Sequence, residues 1–296
     1  KYVLRRKPSG KLLPSAHAVD REFRVLQALH GGPAPVARPL HLCTDASVIG
    51  SVFYLMQFVE GRVFWDPSLP ELDAPARGAT YEAIIATLAA LHRVDVTAVG
   101  LADYGKPGNY FARQIHRWSE QYRASETAPL PDMDALMACL AERCPADDGA
   151  VALVHGDFRI DNLMFHPAEP RVLAVVDWEL STLGHPLADL GYFCMALRLP
   201  RNPALPGLAG MDRAALGIPE EAAMLERYCE LSGQPVPADW PFVLAFSFFR
   251  LAAIAQGVAK RALQGNASSA EALQTGRAAR PLAEIAWGQV ERLKLS

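Results

Sequence analysis

The spacing of hydrophobic residues changes about sixty residues into the chain. Before that point, short apolar runs predict three strands and one helix, at 2–4, 38–43, 52–59 and 18–29. After it, alanine- and leucine-rich stretches with helical period dominate. The pattern predicts a small β-rich part, residues 1–60, followed by a large and mainly helical part, residues 61–296.

Helical spacing in the second part is interrupted once. The predicted helices are 81–93, 110–123, 133–143, 187–199, 220–231, 241–263 and 270–293. Residues 150–177 instead read as strand and loop. We expect the chemistry to lie where this insert meets the β-rich part.

Composition narrows the class of protein. The 296 residues are 51% hydrophobic and 21% charged, which is ordinary globular usage. A net charge of −3 gives no global electrostatic reason to bind nucleic acid or an anionic membrane. The most apolar stretch, 240–259, contains Pro241, Arg250 and Gln256, so we predict a helix buried in protein and no membrane anchor. Five cysteines without a C-x-x-C pair favour a reduced, cytoplasmic location.

The insert carries the candidate chemistry. Asn162 opens one short apolar strand and Asp177 closes the next, so an antiparallel hairpin would bring the two side chains together. Amide and carboxylate oxygens suit Mg²⁺, which completes its shell with water and substrate phosphates. Asp157, on the loop that leads into the hairpin, is placed to accept the proton of an attacking hydroxyl.

The spacing H-G-D-x-x-x-x-N, with an Asp fifteen residues after the Asn, resembles the aminoglycoside phosphotransferase family, whose members are related to protein kinases. The runs YVLRRKPSGKLLPSAHAVDREFRVL and VHGDFRIDNLMFHP look like the kinase-like domain attached to certain acyl-CoA dehydrogenases and its free-standing bacterial homologues. The resemblance covers essentially the whole chain. It implies an α+β, bilobal, protein-kinase-like fold that uses ATP and Mg²⁺.

The resemblance also implies a role for each motif residue. Asp157 matches the catalytic base, and Arg159 matches the basic residue near the γ-phosphate. Asn162 and Asp177 match the metal ligands. By itself, each of the three acidic or amide residues is also typical of an ordinary turn or strand end.

The resemblance also implies which residues brace the catalytic loop and which bind the nucleotide. His155 and Asp189 match residues that brace the catalytic loop. Arg5 falls where kinases place the strand lysine that holds the α- and β-phosphates, and Glu22 falls where its ion-pair partner lies. Arginine instead of lysine keeps the charge but changes the geometry of phosphate binding. A solvated strand-end Arg5 and a surface Glu22 are the alternative interpretation.

The run FYLMQFVEG resembles the segment that reads adenine in this fold. Gln57 and Val59 would present the backbone C=O and N–H, with Met56 as gatekeeper. The glycine-rich loop of the fold lies upstream of the strand that carries Arg5. Since the chain opens at Lys1, we expect the first two strands and that loop to precede it, and Pro8–Lys11 does not replace them.

One helix offers a candidate acceptor site. Arg113 and Arg117 are four residues apart and share a face, with His116 and Trp118 beside them. Such a stripe could hold the phosphates and adenine of a CoA ester, or it could be a solvated face with one buried tryptophan.

The leading hypothesis is a small-molecule kinase that phosphorylates a hydroxyl of a hydroxyacyl-CoA, of the 4-hydroxyacyl type. An aminoglycoside or choline-like amino alcohol is the alternative acceptor, and it would need an acidic pocket. A metallophosphoesterase is disfavoured because no Gly-Asn-His follows Asp177. A non-catalytic, nucleotide-binding pseudokinase is the remaining alternative, and the sequence leaves the oligomeric state open.

Overall fold

The computed structural model describes residues 1–7, 18–202, 206–264 and 276–295. The strands are β1 (Tyr2–Arg6), β2 (Pro39–Cys43), β3 (Phe53–Gln57), β4 (Ala152–Val154), β5 (Leu163–Phe165), β6 (Val172–Val175) and β7 (Thr182–Gly184). The helices are α1 (Val19–Leu29), α2 (Ala74–His92), α3 (Tyr110–Ser125), α4 (Pro131–Glu142), α5 (Leu187–Cys194), α6 (Arg213–Leu216), α7 (Glu221–Ser232), α8 (Trp240–Leu263) and α9 (Ala279–Leu295). Short 3₁₀ turns occupy Ile160–Asn162, Trp178–Leu180 and Met195–Leu197.

The chain forms two compact units. The first unit contains Lys1–Lys106, Val151–Asp189 and Asp212–Pro235, and the second contains Pro107–Ala150, Leu190–Met211 and Val236–Ser296. The division after residue 60 that the sequence suggests stays a prediction. The motif Pro8–Lys11 lies outside the described residues.

The first unit begins with a three-stranded antiparallel sheet of order β1-β3-β2. Strand β1 pairs with β3 from Tyr2 opposite Gln57 to Arg6 opposite Phe53. Helix α1 packs on this sheet through an apolar face that includes Phe23 and Leu26. The three strands and the helix confirm the β-rich start predicted from the sequence.

Two small antiparallel pairs follow in the same unit. Strands β5 and β6 form the predicted hairpin, with Leu163 opposite Val175, and the N–H of His166 donates to the carbonyl of Arg171 at 2.8 Å where the hairpin turns. Strand β4 pairs with β7, which the sequence analysis missed. Strand β7 has only three residues, too few for a detectable alternation, and it extends because β4 offers it a partner.

Helix α2 begins at Ala74, seven residues before the predicted start at 81. The Asp73 side chain caps it by accepting from the N–H of Ala76 at 2.9 Å, and Pro75 occupies its first turn. Proline is tolerated there because that N–H has no helical partner. Residues 74–80, which lie outside the predicted helix, therefore belong to α2.

The second unit is built around helix α8, which packs against α3, α4 and α9. The ring of Phe111 meets those of Phe242 and Phe246 edge-on, at centroid distances of 5.5 and 5.1 Å. Within the described residues, α8 is the one helix that is long and apolar enough to cross a membrane, and 83% of its most apolar window is buried in the protein. Helix α9 starts at Ala279, whereas 270–275 of the predicted helix lie outside the described residues.

Candidate active site

The loop that follows β4 turns sharply at Gly156. This residue has φ of +83°, and a Cβ placed on it would lie 2.5 Å from the carbonyl oxygen of Leu180. Glycine is therefore required here both by conformation and by space. The turn presents Asp157 immediately afterwards.

The Asp189 carboxylate holds this turn by accepting hydrogen bonds from its backbone. Its Oδ2 accepts from the backbone N–H of His155 at 2.6 Å, and its Oδ1 accepts from the N–H of Gly156 at 2.8 Å. His92, at the end of α2, places Nε2 3.2 Å from the same Oδ2. The hydroxyl of Tyr228 lies 2.6 Å from His92 Nδ1, so Tyr228 donates to Nδ1 and the His92 proton sits on Nε2.

The bracing carboxylate is fully buried, at 1% exposure. Burial alone raises the pKa of Asp189, but the hydrogen bonds from His92 and from the N–H of Gly156 outweigh it and hold the pKa below its usual range. Asp189 therefore remains an anion that accepts three hydrogen bonds.

His155 links the loop to the strand that precedes Asp177. The N–H of Asp157 donates to its Nδ1 at 3.2 Å, and its Nε2 lies 2.9 Å from the carbonyl of Val176, to which it donates. The ring is buried and packs against Trp178 at a centroid distance of 4.8 Å. Both ring nitrogens are thus committed to the backbone, which fits a bracing role and not proton transfer.

Asp157 and Asn162 are in direct contact. Asn162 Nδ2 donates to the Asp157 carbonyl at 2.8 Å and to its carboxylate Oδ2 at 3.0 Å. The N–H of Val176 donates to the Asn162 carbonyl at 3.0 Å, which ties the start of β5 to the end of β6. With its amide nitrogen used in this way, Asn162 has Oδ1 as the atom that can face a metal.

Asp177 adopts a left-handed backbone, with φ of 65° and ψ of 63°. A non-glycine residue in this region costs roughly 1–3 kcal/mol, and such strain is concentrated at functional sites. Its Oδ1 lies 3.0 Å from Nη2 of Arg5.

Arg5 lies among three carboxylates. Its Nε is 3.3 Å from Glu22 Oε2, and its Nη2 is 3.0 Å from Asp177 and 3.6 Å from Glu179. Glu22 is only 2% exposed and also accepts from the Tyr54 hydroxyl at 3.1 Å. One guanidinium against three carboxylates leaves an excess of negative charge, which favours a divalent cation.

Burial shifts the pKa values of Glu22 and Arg5 in opposite directions. It raises the pKa of Glu22 above its usual range, although the contacts with Arg5 and Tyr54 oppose the shift. Burial lowers the pKa of Arg5, but Glu22 and Asp177 more than compensate and raise it overall. Arg5 thus stays charged, as a group that holds phosphate must.

Arg159 makes a two-pronged ion pair with Asp161. Nε lies 3.0 Å from Oδ1, and Nη2 lies 2.7 Å from Oδ2. The Asp161 side chain is only 18% exposed because it pairs with this guanidinium. The charge predicted to face the γ-phosphate is therefore shared with a local carboxylate.

The predicted adenine-reading segment borders a cavity of about 530 Å³. Gln57 and Val59 line it on one side, and Val36, Ala37 and Leu173 supply apolar walls. The N–H of Gln57 donates to the carbonyl of Arg38 at 2.9 Å, which fixes this segment to the neighbouring strand. A cavity with apolar walls beside a tethered backbone suits a purine ring.

The candidate acceptor residues lie in the second unit, apart in sequence from the residues above, which all belong to the first. Arg117 is exposed, and Arg113 is half-buried with Nη1 3.4 Å from the carbonyl of Pro107. Trp118 is 6% exposed, with Arg117 and the buried Arg250 near its ring at 5.6 and 5.5 Å. Trp118 is thus a packed residue, as the structural interpretation of this helix predicted.

The donors fit a magnesium ion. Asn162 and Asp177 offer an amide oxygen and a carboxylate at adjoining strand ends, and Mg²⁺ takes few protein ligands because it keeps waters and substrate phosphates. In the part of the chain that the structure describes, no group of three or more His, Cys, Asp or Glu side chains is arranged to hold a metal. A Mg²⁺ site of two protein ligands is compatible with that finding.

Comparison with known proteins decides the family. The model of the phosphotransferase enzyme family matches residues 1–238. The chain belongs to this family. A Ralstonia eutropha protein with the provisional name aminoglycoside phosphotransferase is 52% identical, with a TM-score of 0.91 over 98% of this chain and 86% of that one. The predictions of family, kinase-like fold and phosphotransferase class are thereby confirmed.

Longer relatives contain a similar domain. Acyl-CoA dehydrogenase family member 10 of Mus musculus is 50% identical over 96% of this chain, which spans 27% of that protein. The probable acyl-CoA dehydrogenase IBR3 of Arabidopsis thaliana is 48% identical over 99% of this chain, which spans 37% of that protein. The chain therefore spans about a third of the curated relatives it matches.

Three residues of the site were missed by sequence reasoning. Tyr54 lies opposite Arg5 in the sheet, so the strand register, had it been known, would have identified it. Glu179 follows Asp177 by two residues, a spacing that a turn brings to the same side. The bond from His92 to Asp189 joins residues 97 apart and has no local signal.

Proposed function

We propose that the chain is an ATP- and Mg²⁺-dependent kinase that transfers the γ-phosphoryl group of ATP to a hydroxyl of a small molecule. The observation that carries this proposal is the contact between Asp157 and Asn162 on a loop braced by Asp189. Arg5, held between Glu22 and Asp177, supplies the fixed positive charge beside it.

Each side chain then has a defined task. Arg5, oriented by Glu22, binds the α- and β-phosphates. Asn162 Oδ1 and the Asp177 carboxylate would hold Mg²⁺, which would neutralise phosphate charge. Asp157 Oδ1 accepts the hydroxyl proton as the acceptor oxygen bonds to phosphorus and the bond from phosphorus to the ADP oxygen breaks. The products are ADP and a phosphate monoester, and the proton passes from Asp157 to solvent.

ATP fits the cavity beside Gln57 and Val59. The backbone C=O of Gln57 and the N–H of Val59 would read the adenine edge, while Val36, Ala37 and Leu173 contact its faces. A structural neighbour, the aminoglycoside phosphotransferase APH(4)-Ia, has been solved with AMP-PNP and hygromycin B, with a TM-score of 0.62 and 17% identity over 97% of this chain and 86% of that one. That ternary complex supports a nucleotide and a small-molecule acceptor bound together.

The proposed acceptor is a hydroxyacyl-CoA of the 4-hydroxyacyl type. Support comes from the relatives, because proteins named for acyl-CoA dehydrogenation carry a similar domain at 43 to 50% identity. Arg113 and Arg117 offer cationic groups for CoA phosphates. The packed Trp118 contributes to the fold of helix α3 and not to an exposed binding surface. Five free cysteines support the proposed reduced, cytoplasmic location.

The test is ADP release by the purified chain with Mg²⁺ and ATP. The acceptors are 4-hydroxyacyl-CoA and 3-hydroxyacyl-CoA esters, hygromycin B and choline, each with an acceptor-free blank. We expect turnover with the 4-hydroxyacyl ester, reduced at least 100-fold in Asp157→Asn because general base catalysis contributes about 10²–10⁴. Asp45→Asn makes the same chemical change on an exposed turn and should keep full activity.

The outcomes separate the alternatives. Turnover with hygromycin B or choline, and with neither CoA ester, would show that the acceptor is not a hydroxyacyl-CoA. Binding of ATP without turnover of any acceptor would favour the pseudokinase. Full activity of Asp157→Asn would remove Asp157 from the role of base.

A further inference from the structure

Tyr104 contacts the helix that carries Glu22. Its ring lies beneath the guanidinium of Arg21 at 4.0 Å, and Arg21 Nη2 donates to the Tyr104 carbonyl at 2.8 Å. Arg21 directly precedes Glu22 on α1. Tyr104 therefore holds α1 next to the carboxylate that pairs with Arg5.

The same side chain reaches the turn after Asp177. The Tyr104 hydroxyl lies 2.8 Å from Ser181 Oγ, and the Ser181 hydroxyl donates to the carbonyl of Trp178 at 2.5 Å. Because Ser181 has a single hydroxyl hydrogen, the Tyr104 hydroxyl donates to Ser181 Oγ, and the carbonyl of Arg21, 3.4 Å away, is its more distant acceptor. Trp178 follows Asp177 directly, so Tyr104 contacts the chain close to each of the two carboxylates that Arg5 bridges.

The surroundings allow Tyr104 little movement. Its side chain is 2% exposed, and a Cβ on the next residue, Gly105, would lie 2.5 Å from Thr182 Oγ1 and 2.7 Å from the nitrogen of Leu183. Burial also raises the pKa of Tyr104, so its hydroxyl keeps its proton and remains a donor. The segment is packed directly against β7.

We propose that Tyr104 is a positioning residue that fixes helix α1 against the turn 178–181 and so sets the separation of Glu22 and Asp177. This inference rests on the proposed function, in which Arg5 between those two carboxylates binds the nucleotide phosphates. Loosening α1 would let Glu22 withdraw and would weaken the hold of Arg5 on phosphate. The expected consequence is a loss of nucleotide affinity.

The experiment compares Tyr104→Phe with Tyr81→Phe. Tyr81 is equally buried, at 2% exposure, and its hydroxyl donates to the carbonyl of Pro67 at 2.7 Å, so both variants remove a tyrosine hydroxyl that makes a buried hydrogen bond. Two properties are measured on the full chain: hydrogen exchange of the α1 amides without nucleotide, and the affinity for Mg·ADP by calorimetry. Tyr104→Phe should speed exchange in α1 and weaken Mg·ADP binding roughly 3- to 10-fold. Tyr81→Phe should match the wild type in both.

Two further variants connect the effect to the site. Ser181→Ala removes the acceptor of the same hydrogen bond and should show the same faster exchange in α1 and the same loss of Mg·ADP affinity. It takes the place of Tyr104→Phe in the comparison if Tyr104→Phe does not fold. In an Arg5→Ala background, Tyr104→Phe should change Mg·ADP affinity less than 2-fold, because the residue through which it acts is gone. A purely structural role would leave the effect unchanged in that background.

Three results would overturn the inference. If the wild type binds Mg·ADP but Tyr104→Phe and Tyr81→Phe give the same results, positioning by Tyr104 is refuted while the proposed function stands. The full Tyr104→Phe effect could persist in Arg5→Ala, which would refute its action through Arg5. Wild-type protein that binds no Mg·ADP would refute the proposed function, and this inference with it.

Discussion

Replacing Asp189 by Asn tests whether the loop is held by a buried anion. The change keeps the size of the side chain but leaves one accepting oxygen where there were two. In the best orientation the Asn oxygen keeps the bonds from His155 N–H and His92 Nε2, which share Oδ2. The new amide group then faces the N–H of Gly156, which had donated to Oδ1 at 2.8 Å.

The cost can be built from these contacts. One charge-assisted hydrogen bond is lost, at about 1.5–3 kcal/mol, and the buried N–H of Gly156 is left without an acceptor, at about 1–3 kcal/mol. The sum of about 2.5–6 kcal/mol is a large share of the 5–15 kcal/mol typical of a folded domain. We therefore expect Asp189→Asn to be severely destabilised at pH 7.

Urea unfolding followed by circular dichroism measures this difference. Asp95→Asn is the matched control, because Asp95 also accepts from two backbone N–H groups, of Thr97 and Ala98 at 2.9 and 3.0 Å, but is exposed. It should cost no more than about 1 kcal/mol, since both N–H groups donate to Oδ1, an oxygen that Asn also supplies, and the exposed site is hydrated. Equal losses in the two variants would refute the argument from burial.

The stability of the wild type and that of Asp189→Asn should respond differently to acid. The pKa of Asp189 is lowered in the folded chain, so its contribution is present above its ordinary value near 3.8 and is lost as pH falls through the folded value. Below pH 4 the wild type should lose stability more steeply than Asp189→Asn, which has no such group to protonate. Parallel acid limbs would contradict the sign of this shift.

Two further changes test the turn and the metal ligand. Gly156→Ala should lower the free energy of unfolding in urea by roughly 2–4 kcal/mol, because the φ of +83° and the Leu180 carbonyl both oppose a Cβ. Gly50→Ala, at φ +79° in open space, should lower it by only about 1 kcal/mol. Equal losses would refute the clash with Leu180. Asp177→Ala should abolish the Mg²⁺ dependence of ADP binding in calorimetry, and an unchanged dependence would remove Asp177 from the metal site.

Local patterns in the sequence were sufficient for part of this structure. The hairpin that joins Asn162 to Asp177 was predictable because two short apolar runs flank a six-residue connection. Helix α8 was predictable as a buried helix because Pro241, Arg250 and Gln256 interrupt its apolar surface. In each case the signal lies within a few residues along the chain.

The contacts that hold the site lack such a signal. Tyr54 meets Glu22 only because β1 and β3 pair in one register, and Tyr104 meets Ser181 across 77 positions of sequence. Asp189 was identified by resemblance to a family, but its hydrogen bond from His92 depends on packing around α2. Long-range packing determines these pairs, and periodicity cannot report it.

The arrangement around Arg5 connects the two kinds of information. The family resemblance implies Arg5, Glu22 and Asp177 as separate site residues, but a single guanidinium can reach both carboxylates only if α1 and the turn after Asp177 keep a fixed separation. The strained backbone of Asp177 shows that this turn has a conformational cost. Neighbouring contacts must therefore hold it in place, and Tyr104 and Ser181 are the side chains in position to do so. The proposed phosphate site thus combines motif residues with contacts made by residues outside every motif.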